Sequence, residues 1–153
     1  MKSTNRRHFI KQTCPLLIAS IVGGEALVSS CSKEKTENPT PISGGYQISD
    51  QILTIDLNHA DFEPLNSKGW INFLEQNVLI LKSNGSYSAY TNVCPHEGTR
   101  NRWSYSASEN TFLCSNHDKT YKADCKTAGS GGVLKCYSTQ LSNNQLKINA
   151  FQN

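Results

Sequence analysis

Two short cysteine–histidine pairs in the middle of the chain carry the residue types that bind transition metals. They read Cys94-Pro95-His96 and Cys114-Ser115-Asn116-His117. Each pair offers one thiolate and one imidazole from a short turn, so two facing turns would supply two of each. This ligand set suits tetrahedral zinc, and it also suits a 2Fe–2S cluster in which two cysteines hold one iron and two histidines hold the other.

The mixed composition of each pair favours the iron–sulfur cluster. The common structural zinc sites bring together two closely spaced cysteines and two closely spaced histidines. A 2Fe–2S centre with mixed ligands instead needs each turn to give one ligand to each iron. A zinc-stabilised binding protein without a redox role is the alternative at this point.

The residues around the two pairs resemble those of a known family. Gly98 lies two residues after His96, and Tyr121 lies four residues after His117. Together with the pairs, they make this segment resemble the Rieske 2Fe–2S domain of cytochrome bc complexes and Rieske ferredoxins. The resemblance extends over roughly residues 52–148, and it implies a small antiparallel β-sandwich with two metal-binding loops.

The resemblance implies roles for the four ligands and for Tyr121. Cys94 and Cys114 are expected on the buried iron, and His96 and His117 on the outer iron near the surface. The hydroxyl of Tyr121 is expected to reach a ligand sulfur. The implied function is one-electron transfer through a Rieske cluster, not catalysis by the chain itself. The implied partner is a redox protein or a quinol-oxidising membrane complex of which the chain is the iron–sulfur subunit.

The chain departs from the high-potential Rieske proteins of cytochrome bc complexes in all three loops around the cluster. Thr99 and Asn116 stand where those proteins have the two cysteines that bridge the ligand loops. Lys119 replaces a serine that hydrogen-bonds a bridging sulfide. The third loop, residues 128–132, is rich in glycine and lacks the usual proline. Because hydrogen bonds to the sulfurs tune the potential, we expect the one from Tyr121 to be kept and the one at Lys119 to be lost or altered.

Residues 1–30 have the pattern of a bacterial export signal. The run Arg6-Arg7-His8-Phe9-Ile10-Lys11 resembles a twin-arginine signal, and Pro15–Gly24 supplies a short apolar stretch. Val28-Ser29-Ser30-Cys31 resembles a lipobox, which predicts lipid attachment at Cys31 and membrane anchoring without a membrane span. An ordinary cleavage site with a stray cysteine is the alternative. The expected location is the periplasmic or cell-surface side of a membrane.

The net charge of the chain argues against one class of partner, nucleic acids. The chain has a formal charge of +3, but the excess positive charge lies in residues 1–30, so nucleic-acid binding is not expected.

Cys125 and Cys136 have no other assignment, and in an oxidising compartment we expect a disulfide between them. Residues 31–153 are too few for the mononuclear-iron domain of a ring-hydroxylating oxygenase, so this activity is not expected either.

Strand-like patterns dominate residues 46–153, which we assign to the metal-binding domain, preceded by a flexible tether over residues 31–45. The pair Asn84-Gly85 between two apolar runs predicts a β-hairpin that leads to the first cysteine–histidine pair. Ser142-Asn143-Asn144 predicts the turn of a closing hairpin. No helical period stands out, and His59 is expected on an exposed turn. The prediction is an all-β domain.

Overall fold

The computed structural model describes residues 42–149, which form three antiparallel sheets. The all-β prediction is therefore confirmed. The predicted signal peptide, Cys31 and most of the predicted tether lie outside the described residues. The strands are β1 (Tyr46–Ser49), β2 (Ile52–Asp56), β3 (Trp70–Phe73), β4 (Val78–Ser83), β5 (Ser86–Thr91), β6 (Trp103–Ser106), β7 (Thr111–Cys114), β8 (Lys119–Lys122), β9 (Cys136–Tyr137), β10 (Thr139–Ser142) and β11 (Gln145–Ile148).

The first sheet has the order β1-β2-β11-β10 and contains the predicted closing hairpin. The two residues between β10 and β11, Asn143 and Asn144, both have positive φ, at 49° and 60°. Two left-handed residues in a row are typical of the type I′ turn, whose twist matches that of the strands it joins. Asparagine tolerates this conformation better than most residues, so the local sequence sets the register of the hairpin.

The second sheet has the order β3-β4-β5-β9 and leads directly to the first cysteine–histidine pair. Asn84 and Gly85, between β4 and β5, have φ values of 49° and 77°, so the predicted hairpin is confirmed. Strand β5 ends at Thr91, shortly before Cys94. The hairpin therefore places the first predicted ligand, Cys94, just after a strand that is paired on both sides.

Strand β4 packs into a core on each of its two faces. Val78 and Ile80 belong to an apolar core that also contains residues of β2 and β11. Leu79 and Leu81 point to the opposite face and join a second core, which also contains Cys94 and Cys114. Successive side chains of a strand alternate between faces, so a continuous apolar run is what a strand buried on both faces requires.

The third sheet, β6-β7-β8, contributes Phe112 to the second core. Phe112 is fully buried, and its ring lies 5.3 Å from the ring of Tyr90 and 4.9 Å from that of Tyr105, measured between centroids. Trp103 also contacts it edge to face. Buried aromatic pairs of this kind stabilise a core beyond the area that they bury. They hold the third sheet, which carries the second ligand turn, against the second sheet.

Short helical segments, which the sequence pattern did not reveal, connect β2 to β3 and β3 to β4. Helix α1 spans Pro64–Ser67 and buries Leu65; four residues are too few to show a helical period. A turn of 3-10 helix, Ala60–Phe62, comes before α1, and His59 caps it by accepting a hydrogen bond from the backbone N–H of Asp61. The side chain of His59 is 35% exposed, and Gly45 packs against its ring. Within residues 42–149, no helix has the length and apolar character needed to cross a bilayer.

The predicted disulfide between Cys125 and Cys136 is present, and it closes a segment that contains the third loop. The two residues are 11 positions apart in the sequence. Cys136 lies in β9, opposite Tyr90 of β5, whereas Cys125 follows β8. The bond therefore links the second sheet to the end of the third sheet.

Replacement of both cysteines, C125S/C136S, is expected to lower the free energy of unfolding by roughly 3 kcal/mol, because the disulfide restricts the unfolded chain. Urea unfolding of the purified protein measures this loss. A wild-type sample unfolded in the presence of a thiol reductant serves as the control and should match the double variant. Equal midpoints for the oxidised wild type and the variant would show that the bond contributes nothing.

Candidate metal centre

The first ligand turn joins β5 to β6 and is closed by backbone hydrogen bonds around Cys94. The N–H of Gly98 donates to the carbonyl of Cys94 (2.7 Å), and the N–H of Cys94 donates to the carbonyl of Thr99 (2.9 Å). Gly98 has a φ of 71°, a conformation that glycine adopts without steric cost. The turn therefore folds back on itself and presents His96 at its outer end.

The second ligand turn is the loop of the β7–β8 hairpin. Cys114 is the last residue of β7 and pairs with Lys119, the first residue of β8. The N–H of Ser115 donates to the carbonyl of Arg102 (2.8 Å), which lies on the segment between the first turn and β6. This bond, together with the pairing of Trp103 with Cys114, brings the two ligand turns side by side.

The four predicted ligands meet as two distinct pairs. Cys94 and Cys114 are only 3% and 1% exposed, and both belong to the same buried core. The side chains of His96 and His117 are 39% and 44% exposed. Their ring centroids lie 5.0 Å apart. Two buried sulfurs below two exposed imidazoles match a cluster whose irons have different ligands.

A protein-family model of the Rieske [2Fe-2S] domain matches residues 56–139, which is more than half of the chain. The chain belongs to this family. Its cofactor is a Rieske-type 2Fe–2S cluster and its function is iron–sulfur electron transfer, which decides against the zinc-stabilised alternative. The donor chemistry fits such a cluster, since two thiols and two imidazoles come from two adjacent turns.

Two solved Rieske structures resemble this member of the family. One is the cyanobacterial plasma membrane Rieske protein PetC3 from Synechocystis PCC 6803, with 24% sequence identity over 56% of this chain and 90% of that chain and a TM-score of 0.44. The other is the ferredoxin of carbazole 1,9a-dioxygenase from Nocardioides aromaticivorans IC177, with 15% identity over 46% of this chain and 72% of that chain and a TM-score of 0.42. No curated protein matches this Rieske protein significantly.

Hydrogen bonds distinguish the two buried thiols of this Rieske protein. Burial raises the pKa of Cys94, but donors that include the Tyr121 hydroxyl and the backbone N–H groups of His96 and Glu97 outweigh it, so the pKa lies below the ordinary value. Burial raises the pKa of Cys114, and the adjacent Cys94 raises it further. Donors are therefore already directed at Cys94, and they favour the thiolate that a metal requires.

Tyr121 lies where the resemblance placed it, with its hydroxyl 3.2 Å from the sulfur of Cys94. Tyr121 is fully buried, and this burial raises the pKa of its hydroxyl well above the ordinary value. The hydroxyl therefore keeps its proton and can donate it in a hydrogen bond to a Cys94 thiolate. Lys119, the other predicted neighbour, is half-buried and pairs with Cys114 across the β7–β8 hairpin.

Glu97, which the motif spacing did not single out, places a carboxylate at the exposed end of the site. Its carboxylate oxygens lie 3.4 Å from Nδ1 of His117 and 4.0 Å from Nδ1 of His96. The side-chain amide of Asn116 donates to the same carboxylate (3.4 Å). Asn116 thus forms a hydrogen bond at the exposed end of the site. The cytochrome bc proteins have a bridging cysteine at this position.

Two asparagines that the sequence pattern did not predict support the first ligand turn. Asn92 is fully buried, and its amide donates to the side-chain oxygen of Asn72 (2.9 Å), whose own amide donates to the carbonyl of Arg100 (2.8 Å). The indole N–H of Trp103 donates to the carbonyl of Asn92 (2.7 Å). A polar residue at Asn72, within the otherwise apolar pattern of β3, was the available signal.

Replacing Tyr121 with phenylalanine is expected to lower the reduction potential while the cluster is retained. The hydroxyl withdraws electron density from the sulfur and so favours the reduced state. If the hydrogen bond favours that state by about 1 kcal/mol, the potential falls by about 40 mV for one electron. Redox titration of the purified holoprotein, followed by electron paramagnetic resonance, measures this shift.

The matched control for this variant is Y105F. It removes a hydroxyl from the same sheet, but that hydroxyl donates to the side chain of Asn110 (2.8 Å) and not to a ligand. The reduction potential of Y105F should equal that of the wild type. A Y121F potential that also equals the wild type would show that the 3.2 Å contact does not tune the cluster.

Proposed function

We propose that Cys94, His96, Cys114 and His117 hold the Rieske cluster, the two cysteines on a buried iron and the two histidines on an outer iron. The observation that carries this proposal is the division of the four side chains by burial, with both sulfurs inside the second core and both imidazoles at the surface. A cluster bound in this way supplies one-electron chemistry at a potential raised by its two neutral imidazole ligands.

The rest of the site shields the sulfurs and leaves the imidazoles accessible. Trp103, Tyr121 and Leu134 belong to the same buried core as both ligand cysteines, so water is excluded from this side. His96 and His117 form the accessible edge, through which electrons would enter and leave. A partner that approaches this edge comes close to the outer iron without displacing any part of the core.

The protein is proposed to work outside the cytoplasm, anchored to a membrane by lipid on Cys31. The export pattern of residues 1–30 and the lipobox-like Val28–Cys31 support this location. The disulfide between Cys125 and Cys136 is consistent with it, since disulfides persist in oxidising compartments. The twin-arginine route carries folded proteins, so the cluster can be inserted before export.

The proposed partner is a redox protein or a quinol-oxidising complex in the same membrane. A lipid anchor followed by a tether would keep the exposed histidines close to such a complex. The chain itself is proposed as an electron carrier or as the iron–sulfur subunit, with substrate oxidation carried out by the partner.

The variant H96A is expected to lose all or nearly all of its cluster, because one ligand of the outer iron is removed. Iron and sulfide analysis and the electron paramagnetic resonance spectrum of the reduced protein measure this loss. H59A is the matched control, since His59 caps a short helical turn outside the site and should retain a full cluster. A normal Rieske spectrum from H96A would remove His96 from the ligand set.

The variant C31S is expected to release the protein from the membrane, because a serine cannot accept the thioether-linked lipid. Expression of the full chain in a bacterial host, followed by membrane fractionation and mass spectrometry of the mature N-terminus, tests this. C14S is the control, since Cys14 lies inside the predicted signal. Equal amounts of C31S and wild-type protein in the membrane fraction would contradict lipid anchoring at this residue.

A further inference from the structure

Gly131, in the third loop, lies against the hydroxyl end of the Tyr121 ring. A Cβ atom built on Gly131 would overlap Cζ and Oη of Tyr121, far inside ordinary van der Waals contact. Gly131 is not among the glycines with positive φ, so its backbone conformation is open to other residues. The absence of a side chain at Gly131 therefore serves this close approach and not the turn geometry.

The third loop is fixed to β8 beside Tyr121 by hydrogen bonds to a single residue, Thr120. The N–H of Gly131 donates to the carbonyl of Thr120 (3.0 Å). The N–H of Ser130 donates to Oγ1 of Thr120 (3.0 Å), and the hydroxyl of Ser130 accepts from the N–H of Thr120 (2.9 Å). These bonds do not involve the Tyr121 side chain, so the loop provides an independent surface against its ring.

The Tyr121 ring is limited elsewhere by the aromatic core. Its centroid lies 5.5 Å from that of Trp103, whose indole N–H is fixed by the carbonyl of Asn92. With Trp103 anchored and Gly131 at the hydroxyl end, the ring has little freedom to move. Its hydroxyl is directed at the sulfur of Cys94, 3.2 Å away.

We propose that Gly131 is a positioning residue for the cluster, which acts by holding the Tyr121 hydroxyl in hydrogen-bonding contact with Cys94. The glycine-rich third loop thereby sets the reduction potential through Tyr121, in a chain whose third loop lacks proline. This inference rests on the proposed role of Cys94 as a cluster ligand. A methyl group at this position displaces the ring and breaks the hydrogen bond.

The test is a double-mutant cycle of the reduction potential on the full-length holoprotein. G131A should lower the potential by the same amount as Y121F, and Y121F/G131A should lower it no further. Hyperfine spectroscopy of the reduced protein should show an exchangeable proton coupled to the cluster, which disappears in both single variants. A128S adds one atom to an exposed position of the same loop and should change neither quantity.

Two results would overturn the proposal. One is a G131A potential equal to that of the wild type, with Y121F shifted. The other is a G131A shift that adds in full to that of Y121F. An unshifted Y121F potential with no proton signal lost would also overturn it, because the contact between Tyr121 and Cys94 would then not tune the cluster. The ligand set is tested separately by the cluster content of H96A, so the two failures are distinguishable.

A second variant decides the question if G131A assembles no cluster. Y121L/G131A shortens the side chain that the new methyl group would meet, so it should recover iron and sulfide content relative to G131A alone. Y121L without the loop substitution provides the reference. Failure of the double variant to recover any cluster would show that the defect of G131A does not arise at the Tyr121 ring.

Discussion

The structure depends on bringing two ligand turns together so that their sulfurs are buried and their imidazoles are not. Neither turn could bury its cysteine alone, since each is a short loop at the end of strands. The hydrogen bond from Ser115 to Arg102 and the pairing of Trp103 with Cys114 join the turns at their bases. Beneath them, Phe112 and the surrounding aromatic rings fill the second core. The two sulfurs therefore belong to the hydrophobic core as much as to the metal site.

This arrangement links the stability of the fold to the properties of the cluster. Strand β4 contributes Val78 and Ile80 to one core and Leu79 and Leu81 to the other. Strand β5 is divided in the same way between Ala89 and Tyr90, so the second sheet has an apolar core on each face. Asn72 and Asn92 also hold the first ligand turn in place, and the Cys125–Cys136 disulfide holds the third loop. Each fixes a loop that contacts a ligand or its hydrogen-bond donor, where a small displacement alters the electronic environment of the sulfurs.

Much of the fold and of the metal site could be predicted from local sequence. Asn84-Gly85 specifies a hairpin because both residues tolerate positive φ, and the cysteine–histidine pairs identify their chemistry by residue type and order. Features that depend on contacts between distant segments could not be predicted in this way. Gly131 looks like one more flexible loop residue until Tyr121 is seen against it. Asn72 and Arg100 meet only because β3 and the first ligand turn are neighbours in the fold.

The central claim, that His96 and His117 ligate one iron while the two cysteines ligate the other, is tested most directly by pulsed electron paramagnetic resonance. The full chain is labelled with ¹⁵N-histidine only, and the reduced holoprotein is measured. Two ¹⁵N nuclei strongly coupled to the cluster are predicted, because two imidazoles bind the outer iron. A reduced 2Fe–2S signal without histidine nitrogen coupling would contradict the account, because no histidine would then be a ligand of the cluster.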